Sequence, residues 1–257
     1  MTLQEFITAF DLPASCRVDQ RVPKKLLIEN GAMNARDKHQ INESIERIQW
    51  LAALKPNSIG VAEYRDGARE YLEIAVLSVT LKDTGEKSVK AGSLIEFMHR
   101  AIPYPMLLLL QWEQNVMLSL GHKRRAQNEV GKIILDGSVV AVTLPEDAPT
   151  APVELAFMKA LALRRQPQAN LYTLYQGWVD ILYALLAARI TGAFVSADNP
   201  EQADYRRQAL EDYRQLESEA ARLRAKAMKE KQLATQVELN LALRLVQTKM
   251  ADARGRL

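Results

Sequence analysis

The sequence predicts an α/β (α+β) fold, a mixed β-sheet with packed helices, followed by an all-helical C-terminal region with a long coiled-coil-like helix. Up to residue 144, short apolar runs alternate with helical periods in the order β-α-β-β-α-β-β, with one or two further strands. "PEDAPTAP", residues 145–152, sets three prolines among acids and small residues and reads as a stiff linker. Beyond it the chain shows helical periodicity alone. The expected organisation is an α/β domain over 1–144, a linker over 145–152 and a helical domain over 153–257.

Residues 2–11 read as a short helix with Leu3, Phe6, Ile7 and Phe10 on one face. "RVPKKLLIEN" reads as a strand that starts after Pro23 and ends at an Asn30–Gly31 turn. "NARDKHQINESIERIQWLAALKP" has Ile41, Ile45, Ile48, Leu51 and Leu54 three or four apart, the period of a helix stopped by Pro56. "SIGVAEYRDGAREYLEIAVLSVTLKD" reads as two strands around Asp66–Gly67. The second is apolar on both faces, which places it centrally in its sheet. A helix is expected over about 88–101 with Leu94, Ile95 and Met98 buried. Strands over 105–112 and 116–121 flank the turn "EQN", and two short strands flank Asp136–Gly137.

"VELAFMKALALRRQ" and "LYTLYQGWVDILYALLAARITG" read as amphipathic helices, the second closed by Gly192. Between Pro200 and Gly255 there is neither Pro nor Gly, so one helix over about 200–254 is expected, with Asn199 and Pro200 at its start. Tyr213, Leu216, Ala220, Leu223 and Ala227 form a coiled-coil seam that resumes with Ala234, Val237 and Leu241. A helix of ~50 residues reaches about 75 Å, more than so small a domain can bury. It must fold back as a hairpin or pack against a partner chain, and a homo-oligomer is one form of the second.

Composition bounds the function. The 257 residues are 48% hydrophobic and 25% charged, as in an ordinary globular protein. A net charge of +3 predicts no nucleic-acid binding without a local patch. The single cysteine, Cys16, excludes an internal disulfide and a cysteine-rich zinc site, which fits a reducing compartment. The N-terminal stretch lacks the pattern of a signal peptide, and no apolar run is long enough to span a bilayer. A cytoplasmic location is expected.

The motif search excludes several chemistries. There is no phosphate-cradling G-x-x-x-x-G-K-[ST], no G-x-G-x-x-G after a strand, no G-x-S-x-G elbow and no H-E-x-x-H. His39, His99 and His122 lie far apart, without metal-ligand spacing, so neither metal nor cofactor is expected. Metal-dependent nucleases of the restriction type need an Asp and then a Glu-x-Lys strand. Here Asp66 precedes Glu73, but Ala75 stands where the lysine belongs and Lys82 comes nine residues after Glu73. A divergent nuclease using the Glu73 strand, with Lys82 or His122, is the enzymatic alternative.

The run His122-Lys123-Arg124-Arg125 is the most basic short stretch, and at a strand end it offers donors and charge to a phosphate. Its bland reading is a solvated strand end. Lys24-Lys25 has the same two readings. Tyr104, between Pro103 and Pro105, is either a shaped corner or an exposed recognition aromatic. Glu73 in an apolar strand needs a cationic partner or marks a site. Trp50, Trp112 and Trp178 lie in apolar patterns and are expected in the core.

Several segments together resemble a bacterial family designated domain of unknown function 4391. They are "VPKKLLIE", "DKHQINESIERIQWLAALKPNSIGV", "EYLEIAVLSVTLK" and, most clearly, "IPYPMLLLLQ" with "LSLGHKRR". The resemblance covers roughly residues 10–135, and Gly121 stands where the family pattern has Ala. Members occur beside genes for helicases and DNA methyltransferases, so the resemblance implies an accessory role in antiviral defence or restriction-modification. It supplies no catalytic residue, and its matching candidates are Lys24, Lys25, Glu73, Tyr104, His122, Lys123 and Arg124.

The function expected from these readings is a non-enzymatic accessory subunit docking on a helicase or methyltransferase, or on DNA. Charge reversal at Lys123, Arg124 and Arg125 is expected to weaken binding and leave the fold intact. The alternatives are the nuclease and a structural homo-oligomer built through the C-terminal helix.

Overall fold

"IAVLSVTL", residues 74–81, presents apolar side chains in both directions, and such a strand is stable only with cover on both faces. A computed structural model describes residues 2–30, 35–82, 91–129, 131–145 and 151–257. The chain divides into two compact units, Met1–Leu182 and Tyr183–Leu257.

In chain order the first unit holds α1 (Leu3–Ala9), β1 (Arg17–Arg21), α2 (Lys24–Asn30), α3 (Ala35–Ser44), β2 (Ile45–Leu54), α4 (Pro56–Ile59), β3 (Tyr64–Arg65), β4 (Glu70–Tyr71), β5 (Ile74–Leu81), α5 (Ala91–Ala101), β6 (Met106–Trp112), β7 (Asn115–Leu120), β8 (Lys123–Arg125), β9 (Ile133–Leu135), β10 (Val140–Pro145) and α6 (Pro152–Ala160). Helix α7 (Leu171–Thr191) begins in this unit and ends in the next. The main sheet has the order β1-β2-β5-β6-β7-β10. Only β5 and β6 run parallel; the other neighbours are antiparallel. Two small ladders, β3–β4 and β8–β9, stand apart from it. The mixed sheet with helices is therefore as the sequence predicts, and β5 is central.

Side chains alternate across the sheet. Ala75, Leu77 and Val79 pack with Met106, Leu108 and Leu110 into a core completed by Leu94, Ile95 and Met98 of α5. Val76, Leu107 and Leu109 point the other way and are equally buried. Ring contacts join α1, α6 and α7: Phe6 meets Phe157 at 6.4 Å, and Phe10 meets Trp178 at 6.1 Å, both edge to face. Trp178 Nε1 donates to the Leu161 carbonyl at 2.8 Å. Residues 152–182 thus belong to the first unit, and the division falls within α7 rather than at 145–152. Residues 146–150 of the expected linker lie outside the described residues.

Two elements differ from expectation. Residues 24–30 are helix α2 and not a strand; Pro23 opens it, and Lys, Leu and Glu all suit a helix. The expected turn at Asn30–Gly31 includes Gly31, which lies outside the described residues. The helix expected up to Pro56 stops at Ser44, and residues 45–54 form β2 instead. The register shifts between Ile45 and Arg47, where a bulge adds a residue. Ile45 and Ile48 therefore share one core although three residues apart, a spacing that reads as helical. Helix α5 begins at Ala91, and residues 88–90 of the expected helix lie outside the described residues.

The second unit consists of the end of α7, then α8 (Pro200–Lys229) and α9 (Leu233–Gly255). Gly192, at φ 90°, closes α7, and the Asn199 side chain caps α8 through Gln202 N at 2.9 Å. The single helix expected over 200–254 is a hairpin. Glu230 leaves helical geometry at ψ 132°, and its carboxylate accepts from Lys231 N and Gln232 N at 2.8 and 2.9 Å. One carboxylate thereby ends α8 and starts α9 without Gly or Pro. Gln236 Nε2 donates to Ala227 O at the tip, and Arg256 pairs with Asp212 at 2.9 Å at the open end, so the helices are antiparallel. Ala220 and Ala227 of the expected seam are buried. Its continuation through Ala234, Val237 and Leu241 is exposed. Among the described residues no helix is long and apolar enough to cross a membrane.

Candidate interaction site

Strand β7 turns back along β6, which brings Gly121 and His122 to the end of the sheet where β5 and β6 begin. The β3–β4 hairpin brings Tyr64 and Tyr71 to the same end, and α7 contributes Tyr172 and Tyr175. His122 lies 5.2 Å from the Tyr172 ring and 5.1 Å from the Tyr175 ring. Tyr64 stacks on Tyr172 at 4.9 Å, and the Arg69 guanidinium sits 5.4 Å from the Tyr172 centroid.

The buried phenols of this cluster are hydrogen-bonded. The Tyr175 hydroxyl accepts from Gly121 N and donates to Met106 O, both at 2.9 Å. The Tyr71 hydroxyl meets His122 Nδ1 at 2.5 Å and accepts from Lys123 N at 3.2 Å. Burial raises the pKa of both phenols, so they remain neutral. The cluster fastens α7 to the ends of β4, β6 and β7.

The basic run continues into β8, where its members differ in depth: Lys123 is buried, Arg124 half-buried and Arg125 exposed. Lys123 is 2% exposed, and its ammonium donates to the carbonyl oxygens of His99 and, at 2.9 Å, Ile102. These acceptors end α5, where a cation is favoured by the helix dipole. Burial still pushes the Lys123 ammonium down to about 8. Arg124 pairs with Asp136 at 3.5 Å, and Arg125 with Glu70 at 2.9 Å. Asp136 also holds Arg69 at 2.7 Å, and Glu70 also holds Arg65 at 3.0 Å. Both arginines of the run are thus shared into acidic partners. Burial of Lys123 corrects the expectation that its charge reversal would leave the fold intact.

His99 is fully buried under the same segment. Its Nε2 lies 3.1 Å from Ser119 Oγ, and its Nδ1 has no hydrogen-bond partner among the described residues. Burial, with the Lys123 charge nearby, pushes it down to about 3. A Cβ at Gly121 would meet Leu135 Cδ2 at 3.0 Å and His99 Nδ1 at 3.5 Å. An alanine there needs the Leu135 side chain to give by a few tenths of an ångström.

The remaining candidates scatter. Glu73 lies between β4 and β5, not in a strand, and pairs with Lys55 at 3.1 Å. Lys82 follows the far end of β5 and donates to Asn42 O at 3.0 Å. With about 3.3 Å per strand residue, roughly 30 Å separates Glu73 from Lys82. Lys24 donates to Ile45 O and, at 3.4 Å, to Asn42 O, so Lys24 and Lys82 together serve the end of α3. Burial, then the Lys82 charge, lowers the Lys24 pKa. Lys25 is exposed on α2. Among the described residues no three His, Cys, Asp or Glu side chains are grouped as metal ligands.

Tyr104 is 49% exposed at the corner between α5 and β6. It lines an apolar cavity of about 190 Å³ together with Leu26, itself 48% exposed. Leu27, Ile48, Leu77 and Met98 line the interior. Lys123 reaches this corner from within, because its acceptors His99 and Ile102 lead directly to Tyr104. Sequence reasoning named Tyr104 and Lys123 but missed Leu26, the cavity and the tyrosine cluster. Tyr172 and Tyr175, three apart on an expected helix, were the available signal for the last.

The fold and these contacts can be set beside known proteins. Neither a curated protein nor a solved structure matches the chain significantly. One family model matches residues 10–250, nearly the whole chain and not only its α/β part. The chain belongs to the family described as Domain of unknown function (DUF4391).

Proposed function

We propose that this protein is a non-enzymatic accessory subunit of a bacterial antiphage defence or restriction-modification assembly, working in the cytoplasm. Its α/β unit docks on a helicase or DNA methyltransferase through the Tyr104 corner. The observation that carries the reading is the half-exposed Tyr104 lining, together with Leu26, an apolar cavity. A cavity of about 190 Å³ suits one large apolar side chain, and such anchor pockets concentrate binding energy in protein interfaces. The partner class follows from the company that members of the family keep.

Direct DNA docking through the basic run has less support. Lys123 is buried, and Arg124 and Arg125 already have acidic partners. The nuclease alternative has less still, since Glu73 and Lys82 flank opposite ends of β5.

The test is capture by tagged protein from its host, comparing wild type with Tyr104→Asp and with the cavity-filling Ala101→Leu. Recovery of a helicase or methyltransferase by wild type, reduced at least tenfold by both variants at unchanged thermal stability, supports the docking role. Equal recovery by all three contradicts it.

A further inference from the structure

Helix α9 carries two apolar stripes, and the hairpin uses one. Leu239, Leu243, Val246, Met250 and Ala253 step by three and four and are buried or half-buried in the hairpin seam. Leu233, Val237, Leu241 and Leu245 step by four and are exposed at 75%, 50%, 59% and 59%. At about 100° per residue this second ridge lies roughly opposite the seam. Met228, near the end of α8 at the hairpin tip, is 80% exposed as well. A single exposed leucine needs no explanation, but a row at one helical spacing marks an interface.

We infer that this ridge joins two copies of the chain, hairpin against hairpin, about a two-fold axis. A ridge of residues four apart packs into the grooves of an identical ridge in the commonest class of helix crossing. A two-fold contact needs only one self-complementary patch. The charges between Leu233 and Leu245 are Glu238 and Arg244, which cancel, so one copy does not repel another. At roughly 100 Å² for each exposed side chain, two facing copies bury about 1,000 Å², the low end for a specific contact. A contact of that size is of the weak, reversible kind, and dissociation in the micromolar range is the expected outcome. This contact lies on a different unit from the Tyr104 corner and stands independently of the docking role.

Sedimentation equilibrium of the full chain, from about 1 to 300 µM, tests it. The wild type passes from monomer to dimer in that range. Leu241→Glu and Leu245→Glu each weaken the dimer at least tenfold, and both sites are exposed, so the melting temperature holds. Leu241→Cys forms an interchain disulfide on oxidation, whereas Ala225→Cys on the exposed face of α8 does not; the native Cys16 is buried. A chain that stays monomeric throughout, leaving the ridge to some other protein, overturns the inference. A dimer that both glutamate variants form as tightly as wild type overturns it too.

Discussion

The ammonium of Lys123 donates to the carbonyl oxygen of His99, so the most basic run of the sequence begins inside the protein. That one contact turns a candidate phosphate ligand into a support for the end of α5 and the Tyr104 corner. Lys123→Glu is expected to cost more than about 3 kcal/mol of folding stability, because it sets an unpaired carboxylate against carbonyl oxygens. Lys123→Met, of similar shape, costs far less. Arg124→Ala with Arg125→Ala leaves the affinity for duplex DNA within about twofold, measured by fluorescence anisotropy at fixed salt. A loss of tenfold or more in that double variant would restore the phosphate reading.

Lys123 also sets a pH dependence. Its folded pKa, about 8, lies below the ordinary lysine value of 10.5, so unfolding takes up a proton between those limits. Its contribution to stability therefore rises as pH climbs from about 8 to 10. Tyr71 and Tyr175, with pKa values raised by burial, oppose this above pH 10, where their unfolded forms ionise. Urea titrations of wild type and Lys123→Met across pH 7–10 should diverge in that direction. Parallel curves would contradict the burial of a charged lysine.

His99 acts at the acid end. Its folded pKa of about 3 lies below the ordinary histidine value of 6.5, so stability falls as pH drops from 6.5 towards 3. The full loss is on the order of 5 kcal/mol. In His99→Gln this part of the acid limb disappears, whatever the variant's stability at pH 7. Chemical denaturation at pH 7, 5 and 4 reads the difference.

Tyr175→Phe keeps the ring contacts and removes only the hydroxyl that bridges Met106 O and Gly121 N. Leaving those buried backbone groups unpaired should cost about 1–3 kcal/mol. A thermal shift within experimental error would show that the bridge contributes nothing.

Gly177, inside α7, has no room for a side chain. A Cβ there would stand 2.6 Å from Pro167 Cδ and 2.8 Å from Gln166 Oε1. The proline ring cannot swing away, and Gln166 is held by the carbonyls of Ala160 and Ala162. Gly177→Ala should destabilise by about 1–3 kcal/mol despite alanine's better helix propensity. A stabilised variant would mean that α7 shifts freely against the 166–167 segment.

The central strands were legible because β5 and β6 are apolar on both faces, a pattern that few other elements share. Residues 45–54 were not, because a bulge in β2 spaces Ile45 and Ile48 as a helix would. The hairpin break was hidden for a different reason. Glu230 ends α8 through its side chain, with none of the Gly or Pro punctuation that marks a turn. At the site, residue type showed Tyr104 and Lys123 as candidates but not their depth. Whether a lysine faces water depends on which helix end lies over it, and that is a tertiary fact. The tyrosine cluster was missed because the pair Tyr64 and Tyr71 and the pair Tyr172 and Tyr175, far apart in sequence, are brought together by topology alone.

The most direct measurement of the docking role is tagged capture from the native host, split into nuclease-treated and untreated halves. A helicase or methyltransferase retained by wild type in both halves, and lost from both with Tyr104→Asp, is the predicted result. Partners recovered only in the untreated half, or retained by Tyr104→Asp, would contradict it and make nucleic acid or another surface the point of contact.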